Sequence, residues 1–393
     1  MSNVLLTFEA YEPTNLETYK LLLQIQELGY ICLRRKKCID ITKMDVDWCD
    51  IIFLVRSASS IEASLAEYAK KLGKYCILLL DDDLLSLGKE YGQDGQGYRN
   101  EKKECLKKTL INTDCLVAAN YNIIKKYSEY GKFKRTFKSE TAINCKSLIS
   151  PQKSKDKIKI VYYVNDGTTA MFDKYLRSVF FKLAENYSGK ISVYFLSIDP
   201  NIHELDSFLD IHYVPHMPFD VFKRYIAENH FDIGLAPLDN DGFSRYKYIN
   251  KFIEYSLGGI AGIYSDCEIY KAVVKSGENG ILCKNNTDDW FEAIDKLIND
   301  DIYKISIAKG AQEYIKNNMS EESVISSFVK SIPELINYKS PNQRAKEIIL
   351  FKFRLEYCTF RIRGWLFTVF NCVRTGNISG LFRRAMDRIK RIG

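Results

Sequence analysis

Short apolar runs alternate with amphipathic stretches along the first part of the chain. Each apolar run is long enough for one buried strand, and together they cover residues 3–8, 50–55, 75–80 and 115–119. The stretches with helical spacing cover residues 18–28, 60–72, a segment that ends near 110, and 121–130. Continuous apolar strands that alternate with helices are typical of a parallel sheet covered on both faces. The pattern therefore predicts a Rossmann-like domain over residues 1–150.

The same alternation starts again after a polar segment. Residues 150–157 carry a proline among lysines and serines, which is typical of a linker. The predicted strands beyond it cover residues 158–164, 191–196, 210–214, 231–235, 262–264 and 280–282. The predicted helices cover residues 171–186, 219–228, 251–257, 287–298 and 302–317. We therefore predict an α/β fold with a second Rossmann-like domain over residues 151–340, and a ligand-binding cleft between the two domains.

Composition and charge narrow the class of protein. A chain of 393 residues with 46% hydrophobic and 27% charged residues has enough apolar material for two or three folded domains and is not disordered. Residues 341–393 hold twelve Lys and Arg against three Asp and Glu, a net charge of +9, whereas the remaining 340 residues carry −2. A nearly neutral body argues against nucleic acid as the main ligand, because phosphate-binding folds carry basic stripes.

The cysteines and the amino terminus favour a soluble cytoplasmic protein. The eleven cysteines are scattered, with neither a CxxC pair nor the Cys and His spacing of a zinc site, so we expect buried reduced thiols. The first residues lack the basic region and cleavage site of a signal peptide, and no run of about 18 apolar residues occurs.

The most informative segment spans residues 231–266, where a buried strand leads into a polar loop and then a helix. Lys247, Lys251 and Glu254 are spaced i, i+4 and i+7, which predicts one shared helical face. Two cations and a carboxylate at a helix start suit a ligand with a diphosphate and a ribose. The alternative is an exposed helix face with charge pairing between successive turns.

This segment resembles the donor-binding region of bacterial GT-B glycosyltransferases, particularly the retaining, family 4-like enzymes that build capsules and O-antigens. The resemblance covers residues 213–311, whereas the amino-terminal half matches in architecture. The matching positions are Pro237, Leu238, Phe243, Lys247, Lys251, Glu254, Tyr255, Gly258, Gly259, residues 260–264, Ser265, Tyr270, residues 277–282 and Trp290.

The resemblance assigns roles to single residues. Glu254 matches the glutamate that binds the donor ribose, and Tyr255 and Ser265 belong to the same donor-binding pattern. Eight positions before Glu254 the family often has a second glutamate, whereas this chain has Tyr246. Because Tyr246 stands in place of that glutamate, Lys247 and Lys251 become the candidates for neutralising the departing diphosphate, with Arg245 as a third cation.

The resemblance also implies a reaction. Sugar transfer from a nucleotide-diphosphate sugar passes through an oxocarbenium-like state while negative charge develops on the diphosphate, and fixed cations and helix-end amides stabilise that charge. The resemblance implies retention at the anomeric carbon, no required metal ion and no other cofactor.

Two further motifs lie at predicted strand ends. Asp81, Asp82 and Asp83 follow the strand at residues 75–80, and three readings stay open: helix-capping aspartates, an acceptor-side base at Asp82, or a metal-binding motif. The turn at residues 165–169 contains Gly167 and Thr168, whose amides and hydroxyl can meet a phosphate, although any strand-to-helix turn favours these residue types.

The basic tail, residues 341–393, mixes arginines with aromatic and aliphatic residues. Its apolar run at 365–373 is too short to span a bilayer, and basic amphipathic helices with Trp and Phe are typical of interfacial membrane binding. In GT-B chains this region crosses back to the amino-terminal domain. We therefore expect residues 341–360 to cross over and residues 361–393 to lie on an anionic membrane or a partner.

We therefore expect a glycosyltransferase that acts on a lipid-linked or oligosaccharide acceptor at the inner face of the cell membrane. Two alternatives remain: a nucleotide-sugar epimerase of the same shape, and a catalytically silent scaffold. The basic tail speaks against the epimerase, which needs no lipid acceptor, and Tyr246 keeps the scaffold open.

Overall fold

The chain folds into two compact units. The computed structural model describes residues 1–10, 13–86, 96–154, 156–164, 169–240, 242–341 and 343–374. Unit 1 comprises Met1–Glu140 and Ile325–Gly393, and unit 2 comprises Thr141–Val324. The sequence pattern places these boundaries at 150 and 340 instead. The chain is already part of unit 1 before residue 340, because Phe328 stacks on Phe53, with ring centroids 6.3 Å apart.

Unit 1 is built on a six-stranded parallel sheet. Its strands are β1 (Ser2–Phe8), β2 (Ile31–Lys37), β3 (Ile51–Val55), β4 (Tyr75–Leu80), β5 (Cys115–Ala118) and β6 (Arg135–Lys138). Its first helices are α1 (Pro13–Glu27), α2 (Lys43–Trp48), α3 (Ser60–Lys71), α4 (Gln96–Ile111) and α5 (Tyr121–Tyr127). The strand order is β2-β1-β3-β4-β5-β6, and all neighbours run parallel. The inner strands β3 and β5 are buried along their whole length, because helices cover both faces of the sheet.

Unit 2 repeats this architecture with a second parallel sheet. Its strands are β7 (Ile158–Tyr163), β8 (Ile191–Leu196), β9 (Asp210–Val214), β10 (Ile233–Ala236), β11 (Ala261–Ser265) and β12 (Ile281–Cys283). Its helices are α6 (Ala170–Tyr175), α7 (Arg177–Tyr187), α8 (Phe219–Asn229), α9 (Asn250–Leu257), α10 (Glu268–Lys271), α11 (Thr287–Asn299) and α12 (Asp301–Asn318). The strand order is β12-β11-β10-β7-β8-β9. All neighbours run parallel, but the chain adds strands outward on one side from β7 to β9 and on the other side from β10 to β12, so the order of the strands reverses between β7 and β10. In open α/β sheets, ligands bind beside the carboxyl ends of the strands at such a reversal.

The last helices are α13 (Glu321–Ser331), α14 (Glu334–Asn337) and α15 (Glu347–Arg374). One face of α15 packs on unit 1, where Tyr357 and Phe360 join a buried cluster with Cys38 and Ile61. The expected division at residue 360 falls inside this helix, which is continuous for 28 residues. Within the described residues, none of the helices combines the length and the apolar character that a membrane span needs.

Candidate functional site

The candidate site lies where β7 and β10 end in unit 2. Tyr163 is the last residue of β7, and Ala236 is the last residue of β10. These strands are neighbours in the sheet, so their carboxyl ends lie side by side at the reversal of strand order. The helix α9 contributes Lys251 and Glu254 to this edge of the sheet, where both contact Tyr163.

Glu254 is held by a tyrosine from the strand end. The Tyr163 hydroxyl donates a hydrogen bond to a Glu254 carboxylate oxygen. Burial raises the pKa of Glu254 to about 8, because a charged carboxylate is poorly solvated at this position. Glu254 therefore changes charge near neutral pH, whereas an ordinary glutamate is fully ionised there.

Lys251 lies next to Glu254 in the first turn of α9. Its ammonium lies 5.0 Å from the ring centroid of Tyr163 and 5.4 Å from that of Tyr162. A cation at this distance from an aromatic ring is attracted by the ring's negative face. The structure thus brings a cation, a carboxyl group and a phenol together in one cluster, which we call the Tyr163 cluster (Tyr163, Lys251 and Glu254).

Lys247 does not share the helical face, and our prediction of that face for all three residues is wrong. A 3-10 turn covers Gly242–Tyr246, and α9 starts at Asn250, so Lys247 lies in the connection between them. Its side chain is exposed, and its ammonium lies 6.0 Å from the ring centroid of Phe243. Tyr246 belongs to the same 3-10 turn and not to the helix.

Arg245 also belongs to the 3-10 turn, where it binds a carboxylate. Its guanidinium donates to Glu268 of α10 at 2.9 Å. Both side chains are about half exposed, so this ion pair holds the turn weakly. A role of Arg245 at the diphosphate stays a prediction.

Tyr255 belongs to the core of unit 2. Its hydroxyl donates to the Leu235 carbonyl at 2.8 Å, and the residue has no exposed surface. Its ring fills the space over Gly234, where an added Cβ would lie 2.6 Å from a ring carbon. The structure therefore places Tyr255 behind the site, where it packs α9 against β10.

We expect Tyr255→Phe to lower stability without changing nucleotide affinity. The variant keeps the ring over Gly234 and loses a buried hydrogen bond, which costs about 1 kcal/mol of the free energy of unfolding. Denaturant unfolding and calorimetric titration with a nucleoside diphosphate measure the two effects separately. A large loss of affinity with unchanged stability would place Tyr255 at the ligand instead.

Ser265 connects two loops at the same edge of the sheet. Its hydroxyl accepts from the Leu238 amide at 2.7 Å and donates to the Asn285 side chain at 2.6 Å. Asn285 in turn donates to the Leu238 carbonyl at 3.0 Å. Ser265 is fully buried in the described structure, so it fixes the loop that follows β10.

That loop also carries a carboxylate that our sequence analysis missed. Asp239 accepts hydrogen bonds from the Lys174 ammonium, at 2.7 Å, and from the Tyr175 hydroxyl. Burial opposes ionisation here, but these bonds hold the pKa of Asp239 below its usual value. Gly167 and Thr168, which we expected near the same edge, lie outside the described residues.

The three aspartates after β4 form ion pairs within unit 1. Asp83 is fully buried and accepts from Lys126 and from the Tyr127 hydroxyl. Asp81 and Asp82 both accept from the Arg56 guanidinium, Asp82 at 3.1 Å. About a third of the Asp82 side chain, 33%, is exposed, so Asp82 is accessible from solvent while Asp83 supports the strand end.

The Arg56 backbone is unusual at this strand end. Its φ is +52°, in the left-handed region that residues with a side chain rarely adopt. Such strain is typical of sites where surrounding contacts impose one geometry. The side chain of the same residue pairs with Asp81 and Asp82 at the carboxyl edge of the unit 1 sheet.

Comparison with known proteins identifies the fold. No family model and no curated protein sequence matches the chain. HepE of Anabaena, in complex with UDP and glucose, matches with a TM-score of 0.59 at 10% identity, over 85% of this chain and 100% of HepE. Sucrose-phosphate synthase of Thermosynechococcus elongatus matches with 0.58 at 12% identity, over 85% and 99% of the two chains. The lipopolysaccharide outer core galactosyltransferase WaaB matches with 0.52 at 13% identity, over the same shares.

At these identities the likeness concerns the fold alone. The matched structures are GT-B proteins, and this chain has their two parallel-sheet, Rossmann-like halves. The fold class predicted from the sequence is confirmed.

Proposed function

We propose that this protein is a glycosyltransferase that moves a sugar from a nucleotide-diphosphate sugar to a glycan acceptor. The observation that carries the proposal is the Tyr163 cluster, which joins a cation and a carboxyl group at the reversal point of the unit 2 sheet. The fold likeness to HepE, a protein solved with UDP and with UDP-glucose, supports a nucleotide sugar as the donor.

In this proposal the donor's ribose binds Glu254 and its diphosphate binds Lys251. A carboxylate accepts hydrogen bonds from two ribose hydroxyls, which requires the charged form of Glu254. The first amides of an α-helix point out of its amino-terminal end, and in this proposal those of α9 bind the diphosphate there. Lys247 and Arg245, on the preceding connection and turn, are exposed and are the further cations that this proposal assigns to the diphosphate.

The chemistry follows from charge that develops in the transition state. As the bond between the anomeric carbon and the diphosphate oxygen breaks, negative charge grows on the diphosphate. Lys251 and the amides of α9 stabilise that charge without reorganisation, which is the main contribution expected of such a site. The proposal includes retention at the anomeric carbon, without a metal ion or another cofactor, for a hexosyl or pentosyl donor.

The acceptor side belongs to unit 1 in this proposal. Asp82 orients or deprotonates the acceptor hydroxyl from the carboxyl edge of the sheet, held in place by Arg56. We propose a lipid-linked glycan as the acceptor, in the assembly of a capsule or O-antigen at the cytoplasmic face of the membrane. The basic tail, residues 341–393, provides the attraction to an anionic bilayer.

The test is to incubate the protein with a panel of nucleotide sugars and a glycan acceptor. The release of the nucleoside diphosphate and the sugar products are measured. A transferase releases the nucleoside diphosphate only when the acceptor is present and yields an extended glycan. An epimerase changes the sugar while it stays attached to the nucleotide, and a silent scaffold gives neither product. Either of these two results would refute the proposal. Glu313→Ala is the matched control for Glu254→Ala, because Glu313 is an exposed glutamate of α12 outside both the Tyr163 cluster and the matched residues 213–311.

A further inference from the structure

The outward face of α15 carries a continuous stripe of exposed apolar side chains. Each of them has between 50% and 72% of its surface exposed, a large fraction for residues of this kind. We call them the α15 stripe: Ile348, Phe351, Leu355, Ile362, Trp365, Leu366 and Phe370. Successive members lie mostly three or four residues apart, or one helical repeat further on, so they share one side of the helix.

The opposite side of the same helix is already used. Leu350, Tyr357 and Phe360 are buried in unit 1. Arg361, on the same side as Tyr357, pairs with Glu9 at 2.9 Å, and Arg363, at the flank of the helix, pairs with Glu101 at 2.8 Å; both carboxylates belong to unit 1. The helix is thus fixed along one side while the α15 stripe faces outward, a separation that ordinary surface helices do not show.

Charge decides which partner covers the stripe. Residues 341–393 contain twelve Lys and Arg and three Asp and Glu, so a second copy would bring the same positive charge against it. An anionic bilayer brings the opposite charge, and each cation near it contributes about 1 kcal/mol. Trp and Phe are typical of helices that lie at the boundary between headgroups and acyl chains. We infer that the α15 stripe is a membrane-docking surface, on which α15 lies in the plane of an anionic bilayer.

The direction of α15 gives this surface a purpose. The segment just before the helix contacts the end of α3, where the Lys346 amide donates to the Tyr68 hydroxyl at 2.8 Å. Eleven residues after Lys346, within α15, the Tyr357 hydroxyl donates to Glu9, which directly follows β1. The helix therefore runs towards the carboxyl edge of the unit 1 sheet, the edge that carries Asp82.

A bilayer under α15 then lies beside the edge where a lipid-linked acceptor must enter. This consequence rests on the proposed function, whereas binding of the stripe to lipid does not. The α15 stripe also begins earlier in the chain than the sequence pattern indicates. Its first residue is Ile348, whereas the sequence pattern assigns the membrane contact to residues 361–393.

The test uses the full chain and vesicles of phosphatidylcholine with roughly a third of phosphatidylglycerol. The variant Leu355→Gln/Ile362→Gln removes two apolar side chains from the stripe without changing charge. We expect its partition onto these vesicles, measured by sedimentation, to fall about tenfold or more. The matched control Met44→Gln/Ile302→Gln, at residues 78% and 84% exposed on other helices, should bind like the wild type.

Fluorescence reports the depth of insertion. Trp365 emission should shift to shorter wavelength on vesicles, and Trp365→Phe should bind but lose that shift. Equal binding by the stripe variant and the control would overturn the inference. So would a dimer, seen by light scattering without lipid, that the stripe variant dissociates, because a second copy would then cover the stripe.

Nucleotide binding separates this inference from the proposed function. The stripe variant should bind nucleoside diphosphate like the wild type, because it leaves unit 2 unchanged. Vesicle binding without nucleotide binding would refute the transferase and leave the docking surface in place. Sugar transfer from a nucleotide sugar without vesicle binding would refute the docking surface and leave the transferase in place.

Discussion

Replacing Lys251 by alanine lowers kcat for sugar transfer by about 100- to 1000-fold, the effect expected when one preorganised group that stabilises developing charge is removed. The ammonium lies in the first turn of α9 beside Tyr163, where the proposed diphosphate binds. Charge on the diphosphate is greatest in the transition state, so kcat falls more than the donor affinity does. Steady-state kinetics with the cognate donor measure both quantities.

Two further variants control for the loss of a lysine elsewhere in unit 2 and for the positive charge at position 251. Lys275→Ala removes an exposed lysine of unit 2, 78% exposed and outside the Tyr163 cluster, and should leave kcat unchanged. Lys251→Arg keeps the positive charge and should recover part of the lost rate. If Lys251→Ala raised only the donor KM, the lysine would bind ground state and transition state equally, and our assignment would fail.

Glu254→Ala weakens binding of the nucleoside diphosphate by about 100-fold or more, because the ribose loses two hydrogen bonds to a charged group. The wild-type affinity should also rise with pH up to about 8, since the proposed complex needs the carboxylate and burial favours the neutral acid in the free protein. Calorimetry at several pH values measures both effects. Glu254→Gln should bind weakly at every pH, without the rise.

Stability of the ligand-free protein should show the opposite trend. The pKa of Glu254 is raised from 4.5 to about 8, so its folded state favours the protonated form. The stabilisation is complete below about pH 4.5 and is lost as the pH rises through about 8. The free energy of unfolding of the wild type, measured with denaturant, should therefore fall between about pH 4.5 and about pH 8. Glu254→Gln should not show this fall. Identical pH profiles for the two proteins would contradict the raised pKa.

The sequence predicted the inner strands of both sheets and missed two edge strands. β3 reads IIFLV and is buried at every position, which a continuous apolar run reveals. β2 reads ICLRRKK, and its four consecutive cations hide a strand that lies at the edge of the sheet. β6, RTFK, lies at the other edge and is too short and polar to stand out.

The candidate site was predictable where its residues are close in sequence. Lys251 and Glu254 lie within one helix, so their spacing already places them together. Tyr163 is 91 residues away from Glu254, and only the parallel pairing of β7 with β10 brings its hydroxyl there. Lys247 was misplaced because the helical spacing was extended back into the connection that precedes α9, which begins only at Asn250.

Matching a pattern did not separate ligand contacts from core positions. Tyr255 and Ser265 stand in the donor-binding pattern, yet both are fully buried, and their hydroxyls bind the chain itself. Burial and hydrogen-bond partners, which decide between these roles, are not visible in the spacing of residues. The same is true of Asp83, which Lys126 and Tyr127 hold in the interior of unit 1.

The central claim is that unit 2 binds the nucleotide of a sugar donor. A thermal-shift panel of UDP, GDP, TDP and CDP tests it most directly, because a ligand at about 100 times its Kd stabilises the folded state by about 2.7 kcal/mol. We predict a clear rise in Tm with one of the four, lost in Glu254→Ala and kept in the control Glu313→Ala. No shift with any of them, or a shift that survives Glu254→Ala, would contradict the proposed donor site.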